Sequence, residues 1–261
     1  MRGNKMTDWS ANQYTKFIKE RTQPAIDLAN KITISNPRKI IDIGCGPGNS
    51  TRVLADKFKD AYIVGADNSQ NMLDKAKSQN PDLNFMMFDA SKDFTDIKER
   101  FDVVFSNACI QWIPNHRELI KNMMGILNDG GVLAVQTPMN YKEPIHRIIE
   151  ELVCSDKWKK YFPNPREFYN LKPEEYFDLL SKISSDFTIW ETVYCHRVPS
   201  HESIMEWYKG TGLRPYLNEL SEHDAEEFEK EVYNEVVKAY PIQSNGEIIF
   251  RFPRFFFTAI K

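Results

Sequence analysis

Ile41-Asp42-Ile43-Gly44-Cys45-Gly46-Pro47-Gly48-Asn49-Ser50 is an apolar run that stops at three alternate glycines and reopens at two good helix-capping residues. It reads as a buried strand turning into a helix. Glycine accepts positive φ and lets a ligand approach the backbone. The turn lies at the carboxyl edge of the first strand, where doubly wound sheets bind ligands. Spacing narrows the ligand. A dinucleotide loop runs G-x-G-x-x-G, whereas here Asn49 stands where the last glycine would be, and no nucleoside-triphosphate loop occurs anywhere in the chain. Asp42 would repel a phosphate and suit an amino group. A nucleoside carrying an amino acid fits these points better than a phosphorylated one.

Outward from the loop the pattern alternates. A helical period over 10–31, broken near Pro24, precedes the strand 39–43; helices at 50–58 and 69–78 separate it from strands at 62–67 and 84–88. Strands at 101–106 and 131–136 continue the series, which predicts right-handed crossovers and a largely parallel sheet. Residues 143–240 read as mostly helical apart from a strand-like run at 187–196. Two apolar runs, 247–252 and 254–260, close the chain on either side of Pro253. Pairing of 187–196 with 254–260 would make 200–240 a helical cap inserted at the edge of the sheet. The expected organisation is an N-terminal helical cover (1–35), a Rossmann-like core (36–140), helices and an edge strand (141–198), a helical substrate cap (199–242) and closing strands (243–261).

The 261 residues are 41% hydrophobic and 27% charged with net charge −3, a globular composition without the basic surplus of a nucleic-acid binder. Cys45, Cys109, Cys154 and Cys195 form no C-x-x-C pair, so they read as buried thiols of a reducing compartment rather than metal ligands or disulfides. No apolar run is long enough to span a membrane, and the first residues lack the apolar core of a secretion signal. A cytoplasmic monomer or weak homodimer is expected, with Met6 a second candidate start.

Asp67 ends the second strand, where a carboxylate receives ribose hydroxyls; with Asn68 and Ser69 it could equally cap a helix. Asp89 follows the third strand beside Ala90 and could accept from an adenine amino group, although a turn aspartate is the plainer reading. Met72 could cover a purine face or simply fill the core. Together with Asn107 after the fourth strand, these residues and Asp-x-Gly-x-Gly-x-Gly resemble the class I S-adenosylmethionine-dependent methyltransferases. The resemblance implies a seven-stranded sheet with its last strand antiparallel. It places Asp67 on the ribose, Met72 and Asp89-Ala90 around adenine, and Asn107-Ala108 near the methionine portion, with S-adenosylhomocysteine as product.

Further segments resemble carboxylate methyltransferases acting on trans-aconitate or a similar small polycarboxylic acid: Thr7-Asp8-Trp9, Gln111-Trp112, Glu143-Pro144 with His146, Thr211-Gly212-Leu213-Arg214-Pro215 and Phe252-Pro253-Arg254. Methyl transfer to an ionised carboxylate needs no general base, and none is signalled; nor is a metal. It does need cations for the non-reacting carboxylates, and arginine binds these bidentately. Arg214 is the first candidate and Arg21 the second, with His146 and His196 as lesser donors. Trp9, Tyr14 and Trp112 could wall the methyl site. Arg251 and Arg254 alternate with phenylalanines and need not face a pocket. Other acceptors, a malonyl-type thioester or an alcohol, stay open, as does a non-catalytic cofactor-binding protein; a nicotinamide dehydrogenase is disfavoured by Asn49.

Overall fold

The computed structural model describes residues 18–261 apart from Asp93 and Thr211, with side chains from Thr22 onward. The chain forms two compact units. One comprises 21–138, 167–192 and 254–261; the other draws on 139–166 and 193–253.

The first unit carries the sheet. Its elements in order are α1 (Ile18–Ala29), β1 (Lys39–Ile43), α2 (Asn49–Lys57), β2 (Tyr62–Asp67), α3 (Gln70–Gln79), β3 (Asn84–Met87), β4 (Phe101–Asn107), α4 (His116–Gly125) and β5 (Leu127–Pro138). α6 (Pro173–Leu180) follows after α5 (Pro144–Val153), which belongs to the second unit. With β6 (Phe187–Val198) and β7 (Ile248–Ile260), the seven strands are ordered β3-β2-β1-β4-β5-β7-β6. β1, β2, β3, β4 and β5 pair in parallel, and β7 runs antiparallel to β5 from Val132↔Ile260 to Pro138↔Arg254. β1 and β4 are central and covered on both faces, so their apolar runs are nearly continuous.

The second unit is helical: α5 (Pro144–Val153), α7 (His201–Lys209), α8 (Arg214–Leu217) and α9 (Glu222–Ala239). Ile145, Ile149, Trp158, Phe228, Val232 and Phe250 are among the residues of its core. The Tyr240 hydroxyl accepts from the Ile145 N–H at 3.1 Å, satisfying an orphan donor at the start of α5.

Four expectations need correction. Pro24 lies inside α1 and does not end it; Ala25, Leu28 and Ala29 beyond it are buried, and packing of that face outweighs one lost hydrogen bond. The third strand stops at Met87, one residue early. The two terminal runs are a single strand through Pro253, whose carbonyl accepts from the Met139 N–H, so the missing N–H does not break it. Of the four thiols only Cys45 is buried; Cys109 is half-buried, while Cys154 and Cys195 are exposed. Among the described residues no helix is long and apolar enough to cross a membrane.

Candidate cofactor and substrate residues

The loop after β1 is tied to the end of β2. The Gly44 and Cys45 N–H groups donate to the Ala66 carbonyl, at 2.7 and 3.1 Å. Gly44 has φ +76, and a Cβ there would sit 2.1 Å from the Cys109 Sγ, so glycine is required for the loop after β4 to pack on this one. Gly46 has φ +54, but a Cβ on it would meet no atom within 4 Å. That empty space lies beside backbone a ligand could approach.

Asp42 is fully buried and its Oδ2 accepts from the Ser50 and Thr51 hydroxyls at 2.6 and 2.7 Å. Ser50 therefore locks α2 to β1 instead of capping it; the capping position is Gly48, and no side chain caps this helix. Oδ1 of Asp42 is buried with no hydrogen-bond partner. Burial pushes this carboxyl up to about 6, against the opposing pull of the Ser50 and Thr51 hydroxyls. An incoming ammonium would supply the missing donor and favour the ionised form.

Asp67 accepts from the Gly46 N–H through Oδ2 and the Ser69 N–H through Oδ1, both at 2.9 Å. Burial holds its pKa above the usual range. The Asn68 N–H also donates to this carboxylate, which keeps acceptor capacity for a ligand hydroxyl. The cap of α3 is Ser69, which accepts from the Met72 N–H, so Asp67 does not spend itself there. Met72 is half-buried on the first turn.

Asp89 accepts from the Ser91 N–H and hydroxyl through one oxygen, and the Ser91 bond leads in holding its pKa low, with Asn68 also donating. The turn role is thus present, and it leaves acceptor capacity on the other oxygen. Ala90 beside it is buried. Asn107 ends β4 with a buried Oδ1 that has no partner. Ala108 next to it has φ +55, held by its N–H to the Gln136 carbonyl at 2.9 Å. A non-glycine residue in the left-handed region is a strained feature of the kind found at ligand sites. Trp112, on the 3-10 turn Ile110–Trp112, is 36% exposed and lies against Phe168 with centroids 4.9 Å apart.

The carboxyl ends of β1, β2, β3 and β4 thus bring together Asp42, the glycine loop, Asp67, Asp89 and Asn107. Two orphaned buried oxygens and an open face at Gly46 fit a ligand that offers an ammonium and a diol, as S-adenosylmethionine does.

The helical unit carries the other candidates. Arg214 opens α8, and its Nη1 is buried with no acceptor. His146 meets Tyr208 edge-on at 5.4 Å, and burial, aided by the charge of Arg166, pushes it down to about 4. His196 packs among rings, 5.0 Å from Trp207. Arg251 is paired with Glu143, 3.6 Å away. In the sheet unit Arg254 is 8% exposed, more deeply buried than an arginine on a strand flank suggests. Arg166 was not marked by the sequence: it sits in Asn164-Pro165-Arg166-Glu167, inside the stretch read as mostly helical. Trp9 and Tyr14, with Thr7 and Asp8, lie outside the described residues, as does the side chain of Arg21.

A family model described as a methyltransferase domain matches residues 41–135. A protein of Rhodopseudomonas palustris (strain HaA2) named trans-aconitate 2-methyltransferase is 40% identical over 258 residues, 98% of this chain and 100% of that one. One of the same name from Escherichia coli O139:H28 (strain E24377A / ETEC) is 37% identical over 97% of this chain and 98% of its own length. Among solved structures, the YcgJ protein of Bacillus subtilis superposes with a TM-score of 0.59 at 14% identity, covering 92% of this chain and 98% of that chain; it supports the fold alone.

Proposed function

This chain belongs to the trans-aconitate 2-methyltransferase family, and from that premise we propose that it methylates a carboxylate of trans-aconitate or a similar small polycarboxylic acid. S-adenosylmethionine supplies a methyl group activated by its sulfonium, and the products are the methyl ester and S-adenosylhomocysteine. Asp42 and Asn107 hold the methionine portion through the oxygens that now lack partners, and Asp67 holds the ribose. Met72, Asp89 and Ala90 surround the adenine.

The observation that carries the substrate class is the buried Arg214 Nη1 without an acceptor. Leaving a buried cationic donor unmet is costly, and a carboxylate is its natural partner. A carboxylate nucleophile is ionised at neutral pH, so the protein's work is to hold it in line and exclude water. An alcohol acceptor would need a base to take its proton, and His146, pushed to about 4, is a weak one. The reaction is placed in the cytoplasm, in keeping with four free thiols, and requires no nucleic acid, membrane or metal; a monomer or weak homodimer suffices.

The test is transfer of labelled methyl from S-adenosylmethionine to trans-aconitate, cis-aconitate, isocitrate and citrate. A base-labile labelled product from trans-aconitate is expected. Cofactor binding without transfer to any acid would overturn the substrate assignment and direct attention to carrier-bound thioesters.

A further inference from the structure

Gln136 stands near the carboxyl end of β5, 0% exposed, and neither its Nε2 nor its Oε1 has a hydrogen-bond partner among the described residues. Leaving both halves of a buried amide unmet is costly. Its register neighbours show where a partner would stand. On one side is Asn107 of β4, its Cα about 4.8 Å away, whose own buried Oδ1 is also unmet. On the other is Phe256 of β7, fully buried and stacked on Trp190 at 5.0 Å, which offers neither a donor nor an acceptor. The opposite face of the same strand ends is satisfied. Ser106 donates to the Ile43 carbonyl at 2.8 Å, and the Thr137 hydroxyl lies 3.3 and 3.1 Å from the side-chain oxygens of Gln111 and Asn170. Side chains alternate between faces along a strand, so the orphaned atoms gather on one face at the ends of β4 and β5. The Gln136 carbonyl accepts from the Ala108 N–H at 2.9 Å, so the backbone of the same residue holds the left-handed turn after Asn107.

Strand order says which ligand groups reach this amide. The strands run β3, β2, β1, β4, β5 across the sheet, and the reading above lays adenine, ribose and methionine along the ends of the first four. Gln136 is at the next end, where the group that receives the methyl would lie. We propose that Gln136 seats the acid against the cofactor: its Nε2 donates to the reacting carboxylate, and its Oε1 joins Asn107 Oδ1 in receiving the ammonium of the methionine portion. The proposal rests on the carboxylate-methylating reading above. An amide carries one donor group and one acceptor, which matches an anion on one side and an ammonium on the other. An amide N–H orients a carboxylate without pairing its charge, so the nucleophile is held in line and still ionised.

The experiment compares the wild-type protein with Gln136→Met and Gln136→Glu. It measures KM for trans-aconitate, Kd for S-adenosylhomocysteine and thermal unfolding without ligands. Methionine keeps the length of the side chain and removes both polar atoms. Gln136→Met should raise the acid KM at least about tenfold and weaken S-adenosylhomocysteine about fivefold. Its melting temperature should equal or exceed that of the wild-type protein, because no partner within the protein is lost. Glutamate keeps an acceptor for the ammonium but turns the donor into an anion. Gln136→Glu should therefore raise the acid KM further than Gln136→Met, yet leave S-adenosylhomocysteine within about twofold of the wild-type protein. A lower melting temperature in Gln136→Met would show that the amide is partnered inside the protein and would overturn the proposal. So would an unchanged acid KM, or an equal loss of S-adenosylhomocysteine affinity in both variants. If Gln136→Glu does not fold, Gln136→Met alone decides. Should the wild-type protein methylate no acid, the functional reading fails, and the site is judged by binding to the protein loaded with S-adenosylhomocysteine. Protection from thermal unfolding by trans-aconitate that Gln136→Met loses would keep the proposal; no protection would end it.

Discussion

The loop after β1 and the turn into α8 are built alike and charged oppositely. In each, a glycine admits a neighbouring side chain where a Cβ would collide, Cys109 at Gly44 and Tyr208 at Gly212. Around the first stand Asp42 and Asp67, with Asp89 at the next strand end; beside the second stands Arg214. Close backbone packing fixes the position of the polar groups, and their sign sets the ligand. Carboxylates with spare oxygens suit an ammonium and a diol, whereas guanidinium groups suit carboxylates.

The largest break in this comparison comes from the loop itself. Gly44→Ala must both strain the backbone and displace Cys109, and is expected to cost at least about 3 kcal/mol. Gly46→Ala meets open space and should cost only about 1 kcal/mol of strain, yet weaken S-adenosylhomocysteine binding tenfold or more. Thermal unfolding with and without the nucleoside separates the two; equal melting temperatures would show that Gly44 is not a packing glycine.

Next comes His146 in the helical unit. Its pKa is depressed, so its contribution to stability is complete above pH 6.5 and is lost as pH falls toward 4. A fall from 6.5 to about 4 corresponds to at most about 3 kcal/mol. Denaturant titrations between pH 4 and 7 should show a shallower acid loss in His146→Gln than in the wild-type protein. Identical slopes would mean that the imidazole is hydrated and titrates normally.

The smallest effect belongs to Asp42. Its carboxyl is raised to about 6, and a ligand ammonium favours the ionised form. S-adenosylhomocysteine affinity should therefore be steady above pH 6 and weaken by up to about tenfold per pH unit below it. In Asp42→Asn the affinity should be lower throughout, with that slope reduced. An unchanged slope in the variant would assign the pH dependence to Asp67 instead.

The sheet unit was legible in the sequence because its candidate residues follow strands that announce themselves. Asp42, Gly44, Asp67, Asp89 and Asn107 each stand beside an apolar run of recognisable period. The double duty of Asp42 was not visible, since a hydroxyl two turns of chain away decides which oxygen stays free. The helical unit was less legible for a physical reason: Asn140, His146, Arg166, Tyr208 and Arg214 come from separate loops and helices, and no local period links them. Arg214 was marked only by the motif that contains it, and Arg166 by nothing. Pro24 and Pro253 misled for different reasons: burial of the helix face beyond Pro24 outweighs the hydrogen bond lost there, and the Pro253 carbonyl still accepts from the Met139 N–H, so its strand continues.

The division of labour between the two regions is tested most directly by steady-state kinetics on Arg214→Gln and Asp67→Asn, with KM measured separately for trans-aconitate and for S-adenosylmethionine. Arg214→Gln should raise the acid KM at least about tenfold, the worth of one charge-assisted hydrogen bond, and leave the cofactor KM within about twofold; Asp67→Asn should do the reverse. If either variant moves both constants together, or Arg214→Gln moves only the cofactor's, the charges do not divide the ligands as described.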